Sequence, residues 1–260
     1  LTVPGSITYD DVTNIDSVGV ITARSGIDAP SNLLLKTGGT ERLRISSDGT
    51  FTFVKDGSIN GITIGRGSGN QQFNTTFGTS ALASNTSGAS NSAFGYQSLY
   101  STTTGGNNSA FGLYSLKDNT TGGNNAAFGY NALGNNIGGN NNSAFGFGSA
   151  AANTTGYELV AIGAYSLYSN TTGLQNVSIG YAAMYDNTTG NFNTAVGRSA
   201  LTDNTTGSNN TSIGHESLKA NTTGANNVAT GSQSLYSNTT GINNTAIGVA
   251  AMKYTTTGDD

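Results

Sequence analysis

The stretch Asn107–Gly123 reads NNSAFGLYSLKDNTTGG, and variants of it fill most of the chain. The copy before it contains SNSAFGYQSL, and the copy after it contains NNAAFGYNAL. One glycine column recurs every 17 residues without insertion, from Gly78 to Gly248. A strict period of this kind indicates a repeat protein, in which each unit packs mainly against its two neighbours.

The composition excludes several classes of protein. Of the 260 residues only 9% are charged, against about 25% in ordinary globular domains. The chain has 38 Gly, no Cys and few good helix formers, which favours an all-β fold without disulfides. The net charge of −4 disfavours nucleic acid as a partner. No apolar run reaches the ~18–20 residues of a membrane helix, so we expect no membrane insertion.

Two apolar columns run through the repeats, and we predict that both form the structural core. The first precedes the glycine column and changes from Phe to mostly β-branched residues: Phe77, Phe94, Phe111, Phe128, Phe145, Ile162, Ile179, Val196, Ile213 and Ile247. The second lies five positions further on and is mostly leucine: Leu82, Leu99, Leu116, Leu133, Leu167, Leu201, Leu218 and Leu235.

A 17-residue unit is too short for the helix pairs of common helical repeats, but it fits one coil of a β-solenoid. We therefore predict a parallel β-solenoid (β-roll) over residues 61–260, with two short strands in each coil. The recurring NTTG segment is typical of a turn, because Gly and Asn tolerate positive φ angles. Identical residues of successive coils would lie above one another, so we expect hydrogen-bonded asparagine ladders along the axis.

Residues 1–60 do not repeat, and we assign them to an N-terminal β region for attachment or trimerisation. GVITARSGI, LLLKTGG, ERLRISSDG and FTFV are each predicted to contain a strand, with SSDG as a hairpin-type turn. ITIGRGSG is predicted to be an irregular first coil of the solenoid, because Ile64 lies 13 residues before Phe77 instead of 17.

Neighbouring residues of a strand face opposite sides, and Ala110 and Phe111 are neighbours in columns that both lack charge. If one column fills the interior of the coil, the other column faces outward and has to be covered by another molecule. Small side chains in the outward column would allow the backbones of two subunits to approach closely. We therefore predict a homo-oligomer that packs strand faces around an axis. The alternative is that alanine is merely tolerated on an exposed face.

Two sets of residues resemble known families. NNTAIGVAAM and NVSIGYAAM are similar to the head repeats of trimeric autotransporter adhesins, which implies a β-roll assembled as a homotrimer. ITYDDVTNIDSVGVITARSGI and GGTERLRISSDGTF resemble virion fibre proteins of marine phages, especially those that infect cyanobacteria. This second resemblance implies a tail-fibre subunit that helps attach the virion to its host. Other virion proteins, or a continuation that caps the array, would then be partners.

Exposed tyrosines are the strongest candidates for ligand binding, because tyrosine rings stack on sugars. Tyr100, Tyr168, Tyr185 and Tyr236 follow the leucine column, whereas Tyr96, Tyr130 and Tyr181 follow the glycine column. We expect these rings either to bind glycans of the host surface or to pack between subunits.

We expect no catalytic residue, no cofactor and no metal. His215, the only histidine, lies in a variable column that we predict to face solvent. Asp186 and Asp203 share a column in successive coils, at a spacing close to that of the two carboxyl groups of retaining glycosidases.

Three alternatives to a virion fibre stay open. One is a cell-surface adhesin or extracellular filament with the same fold, and another is a polysaccharide depolymerase that uses the Asp186–Asp203 pair. The third is an ice-binding solenoid. A flat array of threonines can bind ice, and the adjacent threonines of the NTT segments form outward columns.

Overall fold

The computed structural model describes residues 33–37, 40–45, 51–53, 57–59 and 62–258. The chain divides into two compact units, Leu1–Val54 and Lys55–Asp260. The described residues form strands and turns, with one short 3₁₀ segment at Ser68–Asn70, which confirms the all-β prediction. The strand predicted in GVITARSGI lies outside the described residues.

The first unit contains a three-stranded antiparallel sheet. Its strands are β1 (Leu33–Thr37), β2 (Thr40–Ile45) and β3 (Phe51–Phe53), in that order across the sheet. The strands predicted in LLLKTGG, ERLRISSDG and FTFV are therefore confirmed. Antiparallel pairing of Ile45 with Phe51 makes β2 and β3 the two arms of the predicted hairpin.

The second unit contains a 13-stranded sheet that runs in chain order. Its strands are β4 (Gly57–Ile59), β5 (Ile62–Gly65), β6 (Thr75–Gly78), β7 (Ser92–Phe94), β8 (Ser109–Phe111), β9 (Ala126–Phe128), β10 (Ser143–Phe145), β11 (Val160–Ile162), β12 (Val177–Ile179), β13 (Thr194–Val196), β14 (Thr211–Ile213), β15 (Val228–Thr230) and β16 (Thr245–Ile247). Because β4 already pairs with β5, this sheet begins a few residues before the predicted boundary between residues 60 and 61.

Strands β6 to β16 are parallel and pair in register, so each residue lies beside its equivalent 17 positions along the chain. Ser109, for example, pairs with Ala126 and Phe111 pairs with Phe128. This register confirms a parallel β-solenoid with 17-residue coils. The same coil is stacked repeatedly because the repeats contain no insertion.

Each coil has one strand of three or four residues, not the two that were predicted. The leucine column lies in a turn segment in which alternate residues have left-handed backbone angles, such as Gln97 (φ 54°) and Leu99 (φ 50°). Residues in this conformation cannot continue a β-strand. The left-handed conformation costs a leucine about 1–2 kcal/mol. Complete burial of the side chain, worth about 1.5–3 kcal/mol, offsets that cost.

The leucine column lies in the coil interior, as predicted, and every one of its eight predicted members is fully buried. Across the interior from it lies the alanine column. Ala110 is 0% exposed at the centre of β8, whereas its neighbours Ser109 and Phe111 point to the outer face. Opposite the buried leucines the strands contribute only the small side chains of Ala, Ser or Thr to the core.

The assignment of the phenylalanine and isoleucine column to the core is therefore wrong. These residues lie on the outer face of the sheet, where they are half-buried by stacking or exposed: Phe77, Phe94, Phe111, Phe128, Phe145, Ile162, Ile179, Val196, Ile213 and Ile247. The alanine column, which we expected to face another copy, fills the coil instead.

Two asparagine ladders run along the solenoid, as the sequence predicted. In the turn, Asn136 Nδ2 donates to Asn119 Oδ1 at 2.8 Å and to a glycine carbonyl of its own coil. The same pair of bonds recurs in each later coil up to Asn238. In the second ladder, the backbone N–H of Asn108 donates to Asn91 Oδ1 at 2.9 Å. Both ladders satisfy buried polar groups that would otherwise destabilise the interior.

The turn ladder is interrupted where Thr102 replaces asparagine. Thr102 is fully buried, and its Oγ1 has no hydrogen-bond partner. Asn85 Oδ1 in the preceding coil is also unpaired, because a threonine hydroxyl is too short to repeat the amide contact. An unsatisfied buried polar atom costs about 1–3 kcal/mol.

Replacing this threonine by asparagine is expected to stabilise the protein. In Thr102→Asn the new amide would donate to Asn85 Oδ1 and accept from Asn119, as in the intact coils. We expect a gain of about 1–3 kcal/mol in the free energy of unfolding, measured by urea titration. Thr104→Asn, at an exposed position of the same turn, is the control. Equal midpoints for the two variants would refute the account of the interrupted ladder.

The N-terminal end of the solenoid is covered by residues that are not a coil. β5 pairs antiparallel with β6, with Ile64 beside Phe77, so the prediction of an irregular first coil is wrong. Beyond it, the Ser68 N–H donates to the Leu82 carbonyl at 3.2 Å. A side chain at Gly67 (φ 73°) would lie within 2.9 Å of Leu82 Cβ. These residues cap the first leucine of the core, which a solenoid end needs to avoid pairing with other chains.

Candidate interaction surfaces

The outer face of strands β6 to β16 is uncharged and carries two columns. One is a column of mostly serine and threonine that includes Ser109, and the other is an apolar stripe, which we call the sheet face. It consists of the phenylalanine, isoleucine and valine column, with Thr230 as its one polar member. Phe145, Ile162 and Ile213 are 39%, 40% and 41% exposed, so the column is in contact with solvent in the middle of the array as well as at its ends. A continuous apolar surface of this kind usually marks an interface.

Within the sheet face, the phenylalanines form a stack with the repeat of the solenoid. The ring centroids of Phe94, Phe111, Phe128 and Phe145 are successively 4.7, 4.7 and 4.9 Å apart, with interplanar angles of 5–7°. This spacing equals the distance between paired strands, so stacking follows directly from the register. The stack therefore gives this part of the sheet face a regular array of parallel rings.

A second aromatic surface lies across the glycine column from the sheet face, and we call it the aromatic track. It comprises Tyr96, Tyr114, Tyr130, Phe147, Tyr165, Tyr168, Tyr181 and Tyr185. Consecutive rings along it lie 4.8–6.1 Å apart, mostly edge to face. The sequence pattern does not single out Tyr114, Phe147 or Tyr165, because the rings of the track come from three columns whose residues vary.

Of the four tyrosines predicted for binding after the leucine column, the structure brings only two together. Tyr168 and Tyr185 stack at 5.1 Å and belong to the aromatic track. Tyr100 lies four coils away from Tyr168 and stays outside the track. Tyr236 lies between two ammonium groups instead, with Nζ of Lys219 and of Lys253 at 5.4 and 5.7 Å from its ring.

The two threonines of each NTT segment have different environments. Thr205 Oγ1 donates to the Thr222 carbonyl of the next coil at 3.0 Å, whereas Thr206 is exposed. The preceding Asn204 is fully buried in the turn ladder. Each turn therefore presents one column of free hydroxyls, and its asparagine amide is inaccessible to a glycosylating enzyme.

Most charged groups near the C-terminal coils form a polar network on the surface. Lys219 Nζ donates to Glu216 Oε1 at 3.1 Å, and Gln233 donates to the other carboxylate oxygen. These hydrogen bonds lower the pKa of Glu216 and raise that of Lys219. His215 is exposed, as predicted, and its Nε2 lies 3.2 Å from Arg198 Nη1. Within this network Glu216 is the carboxylate that accepts from both Lys219 and Gln233.

The pKa of Asp203, which belongs to the predicted carboxylate pair, is raised. Burial raises its pKa most, the charge of Asp186 raises it further, and Lys219 partly opposes both. Because the folded state holds this proton more tightly than the unfolded chain, stability present at acid pH is lost as the pH rises through the folded pKa. At neutral pH the carboxylate therefore destabilises the fold.

Removing this charge is expected to stabilise the protein at neutral pH. Asp203→Asn should raise the free energy of unfolding at pH 7, by less than about 1 kcal/mol since solvent screens the group. The difference from the unmodified protein should vanish below the ordinary aspartate pKa of 3.8. Asp118→Asn is the control, because Asp118 pairs with Lys117 at 3.3 Å. A gain that persists at pH 3, measured by thermal unfolding, would contradict this origin.

Comparison with models of known protein families, with curated proteins and with solved structures finds no significant match. Among the described residues, no three His, Asp or Glu side chains lie close enough together to hold a metal ion. The described part of the chain also contains no helix that could span a bilayer. The functional argument therefore depends on the two surfaces, the sheet face and the aromatic track.

Proposed function

We propose that this protein is the structural subunit of a virion fibre, in which three copies pack their sheet faces around a common axis. The shaft so formed would project toward the host cell and help attach the virion to it. The observation that carries the proposal is the sheet face, an ordered and uncharged stripe that follows the whole array of parallel strands.

Burial of the sheet face supplies the free energy for assembly. Each phenylalanine or isoleucine that leaves water contributes up to about 1.5–3 kcal/mol, and the column provides one such residue in nearly every coil. A closed ring of copies covers the sheet face of every subunit, whereas an open chain of copies leaves sheet faces uncovered on its terminal subunits. The number three rests on the resemblance of the repeats to trimeric adhesin heads.

The native mass in solution tests this proposal. Light scattering should give about three times the 26.3 kDa of a single chain. A mass of 26.3 kDa at micromolar concentration would refute assembly through the sheet face. It would also revive the ice-binding alternative, since the outer surfaces would then be free in a monomer.

The virion location is supported by the resemblance of residues 7–27 and 38–51 to phage fibre proteins. Mass spectrometry of purified virions from an infected culture should detect peptides of this chain at a constant ratio to other structural proteins. Detection in washed envelopes of uninfected cells, with none in virions, would favour a cell-surface adhesin or filament.

A further inference from the structure

We propose that the aromatic track binds an uncharged, linear polysaccharide that lies parallel to the solenoid axis. This inference rests on the proposed function, since it requires that the copies meet at the sheet face and leave the track on the outside of the fibre. It assigns the contact with the host surface to a particular set of side chains, from Tyr96 to Tyr185.

The chemistry of the track differs from that of the sheet face beside it. The sheet face consists of phenylalanine and aliphatic residues, whereas seven of the eight rings of the track are tyrosines. Tyrosine is favoured where one end of a side chain is buried and the other is wet. The apolar residues of the sheet face therefore suit a contact between subunits that excludes water, whereas the tyrosines of the track suit a ligand rich in hydroxyl groups.

The hydroxyl groups of the track are free to bind a ligand. None of its tyrosine hydroxyls makes a hydrogen bond to another described residue, whereas the Tyr236 hydroxyl outside the track accepts one from Lys219. A protein partner that buried these hydroxyls would have to satisfy each of them. A sugar does so readily, because each of its hydroxyls can both donate and accept.

The charges around the track favour an uncharged ligand. Among the described residues, the cations beside its rings lie toward its two ends, with Lys117 Nζ at 5.8 Å from the Tyr114 ring and Arg198 Cζ at 5.9 Å from the Tyr181 ring. Between them, the central rings Tyr130 and Phe147 share a column in which the next members on either side, Leu113 and Ala164, are uncharged. A polyanion would therefore gain little along the middle of the track.

The geometry of the track suits an extended polymer rather than a single sugar. Tyr130 and Phe147 stack at 4.8 Å, and Tyr114 and Tyr165 meet this pair edge to face on its two sides, which restricts the orientation of both central rings. Tyr96, Tyr130, Phe147 and Tyr181 are 42%, 42%, 47% and 51% exposed, so accessible aromatic side chains recur along the axis. Rings that are already ordered lose little entropy when a ligand binds.

Calorimetry with the assembled protein tests the proposal. The probes are cello-, xylo- and manno-oligosaccharides, and the charged comparison is a set of oligouronates. We expect binding of at least one uncharged oligosaccharide, with affinity that increases with chain length. In Tyr130→Ala/Phe147→Ala the affinity should fall by about tenfold or more, which corresponds to about 1.4 kcal/mol. Tyr130→Phe should lose less, because it keeps the ring.

Tyr157→Ala is the matched control, because Tyr157 is 41% exposed but lies outside the track. An equal loss of affinity in this variant, or binding of oligouronates alone, would overturn the proposal. The native mass of each sample separates this inference from the proposed function. A trimer that binds no uncharged glycan refutes only the track, whereas a monomer refutes the fibre assembly. Loss of the trimer in Tyr130→Ala/Phe147→Ala would place the track in the contact between copies and also overturn the inference.

Discussion

The substitution Gly129→Ala is expected to destabilise the solenoid by about 3 kcal/mol or more. Gly129 has φ 139°, and a Cβ atom there would lie 2.4 Å from the carbonyl oxygen of Gly146 in the next coil. That oxygen belongs to the backbone of a coil held in register, so no flexible side chain can yield. Backbone strain alone costs about 1–3 kcal/mol, and relief of the clash would break the hydrogen bond from Gly129 N to the Phe111 carbonyl.

The effect should be visible in the shape of the unfolding transition as well as in its midpoint. Coils interact mainly with their neighbours, so a defect at Gly129 should uncouple the coils on either side and broaden the urea transition followed by circular dichroism. Gly138→Ala is the matched control, because its Cβ atom would meet only Thr121 Oγ1 at 3.4 Å. If Gly129→Ala unfolds at the same urea concentration as Gly138→Ala, the close glycine contact does not limit the stacking of the coils.

The 17-residue period was sufficient to predict how the coils stack. Because each column keeps its residue type, parallel strands in register and both asparagine ladders followed from the spacing alone. The conformation of the turn segment was harder to predict, since leucine rarely adopts φ values near 50°. No residue in 95–100 indicates that conformation from the sequence. A strand was therefore predicted where alternate left-handed residues form a turn.

Whether a column faces the coil interior or the outside could have been predicted from the range of side-chain volumes in it. Both the alanine column and the phenylalanine column lack charge, so polarity could not distinguish the inside from the outside. The first column varies only among Ala, Ser and Thr, whereas the second ranges from Phe111 through Val196 to Thr230. A column that tolerates such a change in volume is not closely packed, which indicates the outer face. The aromatic track could not be found this way, because its rings belong to three variable columns.

Charges placed on the sheet face are expected to dissociate the proposed trimer without unfolding the chain. Ile179 and Ile213 are 36% and 41% exposed on the outer face, two coils apart. In Ile179→Glu/Ile213→Glu, assembly through the sheet face would bury six carboxylates around the common axis. The desolvation of even one unpaired carboxylate costs several kcal/mol, so the native mass should fall to that of one chain.

The control places the same two charges elsewhere on the coil. Ile137 and Ile242 are 48% and 38% exposed and lie outside the sheet face, so Ile137→Glu/Ile242→Glu should retain the native mass of the unmodified protein. Circular dichroism should show the same fold in both variants, because the isoleucines of the sheet face do not contribute to the coil interior. If both the sheet-face variant and the control variant have the native mass of a trimer, the copies meet through another surface. The apolar stripe would then need a different partner, and the argument for a fibre built around it would fail.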